Sequence, residues 1–325
     1  MNVLVISHAD VVRLLPMADC IDVMAEALRA TSRGAAVLPL RSVVWMPDRT
    51  GMIGLMPGYL GQPASLGLKI VSIFPGNHGT GYDSHQGVVM LFDLQHGTPI
   101  AIIDASSITA IRTAAVSGAA TRALARDDAG DLAILGAGVQ ATTHLAAMRA
   151  VRTIRRVRVW SRNRDHAQRF ADASAVPVEV VATPRDAVAG ADLICTTTAA
   201  REPILEGAWL APGAHVNAVG ACFASARELD AAAVARARMI VDRRESALAE
   251  SGDFLLARAE GAIGDDHIAG ELGEVLLGSL TGRRSPGEIT LFKSLGIAVE
   301  DLAAAHHIYA QALATGSGVS VPLGP

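Results

Sequence analysis

The chain has 325 residues, half of them hydrophobic but only 4% aromatic, with a formal net charge of −4 and three cysteines. That length accommodates two domains with cores of Ala, Val, Leu and Ile, and the acidic balance argues against a nucleic-acid partner. Cys20, Cys195 and Cys222 make neither a metal spacing nor a disulfide framework, and a mean hydropathy of +0.33 does not signal a membrane protein, because no run of about twenty residues lacks Gly, polar or charged interruptions.

The first residues, Met-Asn-Val-Leu-Val-Ile-Ser-His, lack the basic region and cleavable apolar run of a signal peptide, so a cytoplasmic location is expected. Helical periodicity spans Pro16 to Arg33. Residues 37–46, 51–59, 67–74, 85–93 and 99–104 then read as strands, separated by turn signals such as Pro47-Asp48, Pro75-Gly76-Asn77 and Gln95-His96-Gly97. Short connections of this kind predict a mostly antiparallel sheet or an open barrel. A small-residue helix over 108–124 leads out of it. From Gly130 the rhythm becomes strand–helix alternation, with strands at 132–135, 157–160, 178–181, 193–196, 215–219 and 239–241. That is the pattern of a doubly wound α/β nucleotide-binding domain. A Gly/Asp-rich stretch at 261–266 and a last helix at 299–313 follow. The helix is expected to return to the first domain, making the nucleotide domain an insertion.

The segment Asp131-Leu-Ala-Ile-Leu-Gly136-Ala-Gly138-Val139-Gln140-Ala141 is a strand turning through two glycines into a helix. Such a helix aims free backbone N–H groups and the positive end of its dipole at a pyrophosphate. Gly136 permits the turn, Gly138 the approach of the phosphates, and Ala141 the packing of helix on strand. The next strand ends in Ser161, Arg162, Asn163 and Arg164, with no carboxylate before Asp165. A guanidinium suits a 2′-phosphate and an acid repels it. NADP(H) is therefore favoured, with NAD(H) as the alternative, and a solvated surface loop is the bland reading of those arginines.

Three cations stand in apolar segments of the first domain: Arg41, Lys69 and Arg112. A cation there is costly unless it meets an anion. The three are candidates to converge on one substrate carboxylate, and the alternative is pairing with a buried acid such as Asp93 or Asp104. His78, Asp83 and His85 flank the glycine-rich turn 76–81, which either closes over a ligand or is a surface loop. His306-His307 reads as a surface or interface pair, and no spacing justifies a metal.

These residues carry a resemblance. Gly67-Leu-Lys69-Ile-Val-Ser, Ser84-His85-Gln86-Gly87-Val88-Val89, Ile111-Arg112-Thr113-Ala114-Ala115, Gly136-Ala-Gly138-Val-Gln140-Ala141, Arg227-Glu228-Leu229-Asp230, Glu250-Ser251-Gly252-Asp253 and Lys293-Ser294-Leu295-Gly296 together resemble the ornithine cyclodeaminase/mu-crystallin family along nearly the whole chain. The resemblance implies a Rossmann-type NAD(P)-binding domain (119–297) inserted into an α+β substrate-binding and dimerisation domain (1–118 plus 298–325), and a homodimer. It implies that Arg41, Lys69 and Arg112 bind the substrate carboxylate, with Lys69 and Arg112 catalytic; His85 is expected among the substrate-binding residues. It places Gly138, Val139 and Gln140 at the pyrophosphate, and Thr196, Thr197, Thr198, Val219, Gly220 and Leu295 on the nicotinamide side. Where ornithine cyclodeaminases carry an acid after the glycines, this chain has Val219-Gly220-Ala221-Cys222, and a neutral thiol forms no ion pair with an ornithine ammonium. The expectation is an NADPH-dependent reductase of ketimine acids of the 1-pyrroline-2-carboxylate or 1-piperideine-2-carboxylate type. An alanine-type amino-acid dehydrogenase, an ornithine cyclodeaminase and a non-enzymatic NADPH-binding protein are the alternatives.

Overall fold

The computed structural model describes residues 2–77 and 80–324. Contacts divide the chain into two compact units, residues 1–112 with 297–325, and residues 113–296. The first contains β1 (Asn2–Ile6), α1 (His8–Leu14), α2 (Met17–Ser32), β2 (Ala36–Val37), β3 (Ser42–Trp45), β4 (Met52–Gly61), β5 (Ala64–Ile73), β6 (His85–Phe92) and β7 (Pro99–Asp104). Helix α3 (Ala105–Leu124) carries the chain into the second unit. There follow β8 (Asp131–Leu135), α4 (Val139–Val151), β9 (Arg156–Trp160), α5 (Arg164–Ala173), β10 (Glu179–Val180), α6 (Pro184–Val188), β11 (Leu193–Thr196), β12 (His215–Ala218), α7 (Ala231–Arg236), β13 (Arg238–Val241), α8 (Arg244–Glu250), α9 (Gly252–Ala259), β14 (Ile268–Glu271), α10 (Leu272–Leu277) and β15 (Thr290–Lys293). Helix α11 (Ala298–Thr315) and β16 (Val319–Pro322) return to the first unit.

The first unit is built on a sheet ordered β16-β1-β7-β6-β5-β4-β2, with β3 also on β4. Every pairing is antiparallel except β1 with β7. The expected single strand over 37–46 is two strands, because the Leu38-Pro39-Leu40-Arg41 segment interrupts it; proline has no N–H to give a ladder. On β4, alternate residues Met52, Gly54, Met56, Gly58 and Leu60 are buried, the period expected of a sheet covered on one face. The cover is α11 together with α2. The approach of α11 is close: a methyl group on Gly67 of β5 meets Leu302 at 2.6 Å and also the Met90 carbonyl oxygen. Only glycine lets the helix sit there, and that seat brings the residue before Leu302 down to the sheet.

The second unit holds a wholly parallel sheet, ordered β10-β9-β8-β11-β12-β15-β13-β14. Its central strands are buried along their length, as in Leu132–Leu135 and Leu193–Thr196, the continuous apolar runs of a sheet covered on both faces. The order reverses between β8 and β11, and ligands of such sheets bind outside the carboxyl ends of the strands at that reversal. Strands β1, β14, β15 and β16 lie outside the expected set. No helix among the described residues is long and apolar enough to cross a membrane.

Candidate active site

At the carboxyl end of β8 the chain turns through Gly136, whose φ of 118° is open to glycine and strained for other residues. A methyl group there meets the Thr197 carbonyl and hydroxyl oxygens at 2.7 Å. Gly138 is the N-cap of α4, has no side chain to cap the helix, and faces open space where a Cβ would lie. The first turn of α4 has no acidic residue, and Ala141 is fully buried beneath it. Val139 is exposed and Gln140 partly so. Uncapped N–H groups, a positive dipole end and room beside Gly138 fit the pyrophosphate of a dinucleotide.

Beyond β9, Ser161 is half-buried, whereas Arg162, Asn163 and Arg164 are exposed. Asn163 is committed locally: its side-chain oxygen accepts the Asp165 N–H at 2.9 Å and caps α5. Arg162 on the loop and Arg164 at the start of α5 stand outside the ion pairs among the described residues and present two uncommitted guanidinium groups.

The far side of the crevice is organised by buried acids that the sequence reading left unassigned. Glu228 is fully buried. Its carboxylate accepts the Thr196 hydroxyl (2.7 Å), the Thr198 hydroxyl (2.7 Å), the Thr198 N–H (2.6 Å) and the Gly220 N–H (2.7 Å). Thr197 hydrogen-bonds instead to the Leu135 carbonyl. Asp242 accepts the N–H groups of Leu295 (2.6 Å) and Gly296 (2.7 Å). Asp253 accepts the N–H groups of Glu228 and Leu229 and stands 2.9 Å from the Lys293 ammonium. Thus Thr196, Thr198, Gly220 and Leu295 are each pinned by a carboxylate beneath the rim, and Val219 is held through its N–H on the Thr196 carbonyl. Burial and neighbouring Asp253 raise the Glu228 carboxyl, against Lys293 and the threonine donors. Burial alone lowers the Lys293 ammonium, yet Asp253, Cys222 and Glu228 outweigh it and the group is raised. The Cys222 thiol donates to the Val219 carbonyl at 3.4 Å.

In the first unit, Lys69 of β5 and Arg112 of α3 come together on α11. Lys69 Nζ and Arg112 Nε both reach Asp301 Oδ1 at 3.0 Å, and Arg112 Nη1 reaches Glu300 Oε2 at 2.7 Å. All four residues are buried. Asp93 and Asp104, the acids suggested by sequence, are not the partners. Asp93 accepts the N–H groups of Gln95, His96 and Thr98 in its own turn, and Asp104 takes the Ser107 N–H at the start of α3. The true partners lie 232 and 188 residues away in sequence, so a local reading has no access to them.

Burial, the largest influence, lowers the Lys69 ammonium; Asp301 raises it and Arg112 and Arg41 lower it further, leaving it at about 8. Arg41, half-buried between β2 and β3, therefore shares this electrostatic neighbourhood. His85 is exposed at the start of β6, where its ring meets the Ser84 hydroxyl at 3.1 Å. Lys69 is in register with Val89, which leaves His85 roughly 13 Å further along the strand. Asp83 lends its carbonyl to Asn77 and Gln86, and His78 lies outside the described residues.

One signal for this cluster is present in the composition. Among the 28 basic side chains, Lys69 and Lys293 are the two lysines and all others are arginine. Both lysines are buried, and each is paired with a buried aspartate. Lysine is the cation whose charge an environment tunes, whereas arginine stays protonated.

The family profile described as "Ornithine cyclodeaminase/mu-crystallin family" matches residues 1–316. Ketimine reductase mu-crystallin of Mus musculus is 44% identical over 276 residues, covering 85% of each chain. Delta(1)-pyrroline-2-carboxylate reductase of Bacillus cereus is 38% identical over 320 residues, covering 97% of this chain and 98% of that one. Among solved structures, the Thermococcus litoralis Delta(1)-pyrroline-2-carboxylate reductase in complex with NADH and L-proline superposes with a TM-score of 0.95 at 38% identity, covering 98% of this chain and all of that one. An archaeal alanine dehydrogenase dimer with bound NAD superposes at 0.93 with 30% identity over the whole of both chains. With the profile covering all but the last few residues, this chain belongs to the ornithine cyclodeaminase/mu-crystallin family.

Proposed function

We propose that this protein is a nicotinamide-dependent reductase of cyclic ketimine acids, of the 1-pyrroline-2-carboxylate and 1-piperideine-2-carboxylate type, with cyclic L-amino acids as products. The observation that carries this reading is the buried pairing of Lys69 and Arg112 on Asp301, considered with the similarity to reductases of that substrate class. An ammonium has three donors, and Lys69 spends one on Asp301. The rest are available to a substrate carboxylate, and Arg112, held on Asp301 and Glu300, adds its positive charge beside them. When bound, the nicotinamide supplies the hydride to the imine carbon. The chain holds the acid group through Lys69 and Arg112, with Arg41 adding positive potential, and so fixes the orientation of the imine. Glu300 and Asp301 fix those cations in turn. Glu228 and Asp242 hold the rim that would face the nicotinamide ring. The proton for a neutral imine comes from Lys69 or from water, and a protonated imine needs none.

NADPH is the proposed reductant in preference to NADH, supported by the uncommitted Arg162 and Arg164 after β9. A homodimer is also proposed. Val44, Ile53, Tyr59 and Leu66 lie on one sheet face by register and are exposed, a continuous apolar patch of the kind that marks an interface. The archaeal alanine dehydrogenase is itself described as a dimer.

Two alternatives remain distinct. Similarity to alanine dehydrogenase favours oxidative deamination of a small amino acid as the second reading. Cyclodeamination of ornithine is disfavoured by Cys222, which offers no fixed charge to a second ammonium. The deciding experiment offers preformed cyclic imines, keto acids with ammonia, and ornithine, each with NADPH and NADH. Oxidation of NADPH with the cyclic imines is expected. Ammonia release from alanine with oxidised cofactor, or proline from ornithine without net cofactor change, would replace this reading.

A further inference from the structure

We propose that Asp301 is a positioning residue for acid capture: by holding Lys69 and Arg112 on a single oxygen, it keeps Lys69 a cation at neutral pH and sets the pH range over which the substrate's carboxylate is bound. The inference rests on the clamp reading above and adds to it a residue that need not touch substrate. Its geometry is complete within the first unit. Asp301 stands in the first turn of α11 beside Glu300, where the helix dipole favours negative charge. Oδ1 takes both cations, while Oδ2 is buried and makes no hydrogen bond among the described residues. Burial works to raise this carboxyl, but Arg112 and Lys69 hold it below the usual range. It is therefore an anion at neutral pH.

The groups facing Lys69 are Asp301, Arg112 and Arg41; behind Arg112 stand Glu300 and the buried Cys20 thiol. Two of the three charges nearest Lys69 are positive, and burial adds to their effect. Asp301 opposes them. With it, Lys69 protonates at about 8 and is a cation at neutral pH. Without it, burial and two arginines drive the ammonium to neutrality, and the clamp loses one of its charges. The sign is definite: affinity for the acid is full below the Lys69 midpoint and falls as pH rises through it.

Because the chain has two lysines, a lysine-labelled protein gives two side-chain NMR signals, with Lys69 assigned by its loss in Lys69→Ala. The wild type is expected to titrate at Lys69 with a midpoint of about 8 and at Lys293 well above it. In Asp301→Asn, the Lys69 midpoint falls by about one to three pH units. Affinity for pyrrole-2-carboxylate, measured by calorimetry, is lost over the same lowered range. In Asp301→Glu, which keeps the charge but moves it, the midpoint stays near wild type while affinity drops. If Asp301→Asn does not fold, Asp301→Glu decides: an affinity and midpoint both unchanged overturn the proposal. An unchanged midpoint in a folded Asp301→Asn also overturns it. If Lys69→Ala binds pyrrole-2-carboxylate as tightly as wild type, it is the clamp reading that fails. If Lys69→Ala abolishes binding while Asp301→Asn titrates as wild type, the role of Asp301 alone fails.

Discussion

The two lysines of this chain are each sealed from solvent and each rest on an aspartate, yet their surroundings push them in opposite directions. Lys293 lies against carboxylates, Asp253 at 2.9 Å with Glu228 adding to its hold, and its pKa is raised. Lys69 lies among cations, Arg112 and Arg41, and its pKa is lowered to about 8. Burial is the largest influence on both and is nearly the same for the two. The sign of the neighbouring charge therefore decides which lysine is a fixed counterion and which is available to a ligand. Lys293 offsets the charge of Asp253 and Glu228, which hold Thr196, Thr198 and Gly220 in place. Lys69 is short of negative charge, which under the proposed function a substrate carboxylate supplies.

The comparison is broken most forcefully at Lys293. Lys293→Met leaves Asp253 and Glu228 buried without their cation, and a loss of about 3–5 kcal/mol of stability is expected, read as a large fall in thermal midpoint. Unchanged unfolding would show that the second cluster does not depend on its charge balance. Lys69→Ala or Arg112→Ala is expected to lower kcat/KM for a cyclic imino acid by about a hundredfold or more, with dinucleotide binding retained. Gly136→Ala forces a strained φ and a clash with Thr197. A cost of about 1–3 kcal/mol should emerge as weaker binding of either cofactor in calorimetry. Arg162→Ala is expected to raise the KM for NADPH about tenfold, near 1.4 kcal/mol, and to leave that for NADH within error. Equal effects on both cofactors would remove the 2′-phosphate assignment.

The smallest effect is a pH dependence of stability. Burial lowers His144 to about 4 and His215 to about 3 from an ordinary 6.5, outweighing hydrogen bonds to the Gln140 carbonyl and the Asn217 side chain that favour the charged rings. Protonation thus favours the unfolded chain. Their contribution is intact above about 6.5 and declines as pH falls toward the folded values, by about 1 kcal/mol per histidine one unit below 6.5. Replacing His215 by Gln should flatten that acid slope in thermal melts.

How far the sequence reveals this molecule depends on how local each feature is. The dinucleotide crevice is legible because its parts are contiguous: β8, the glycine turn and α4 occupy twenty-one residues from Asp131 to Val151, and the turn chemistry fixes their conformation. Strand β15 is not legible in the sequence although it lies in mid-sheet between β12 and β13. Its four residues follow a Gly/Arg/Pro-rich stretch and carry no alternation to read. Strands β1 and β16 pair with each other from opposite ends of the chain, and neither has a neighbour in sequence to signal it. The cations Lys69 and Arg112 were legible as costly residues in apolar surroundings. Their anions were not, since only the seating of α11 over Gly67 brings Glu300 and Asp301 to them. The buried acids Glu228, Asp242 and Asp253 are illegible for the same reason: each bonds to backbone N–H groups distant in sequence.

The central claim is that this protein reduces a cyclic imino acid gripped by Lys69. The most direct measurement follows loss of reduced-nicotinamide absorbance with preformed 1-pyrroline-2-carboxylate, using wild type and Lys69→Ala side by side. The account predicts stereospecific turnover with NADPH in wild type and a loss of about a hundredfold or more in the variant. Equal rates in both proteins, or no turnover by wild type despite tight NADPH binding, would contradict it.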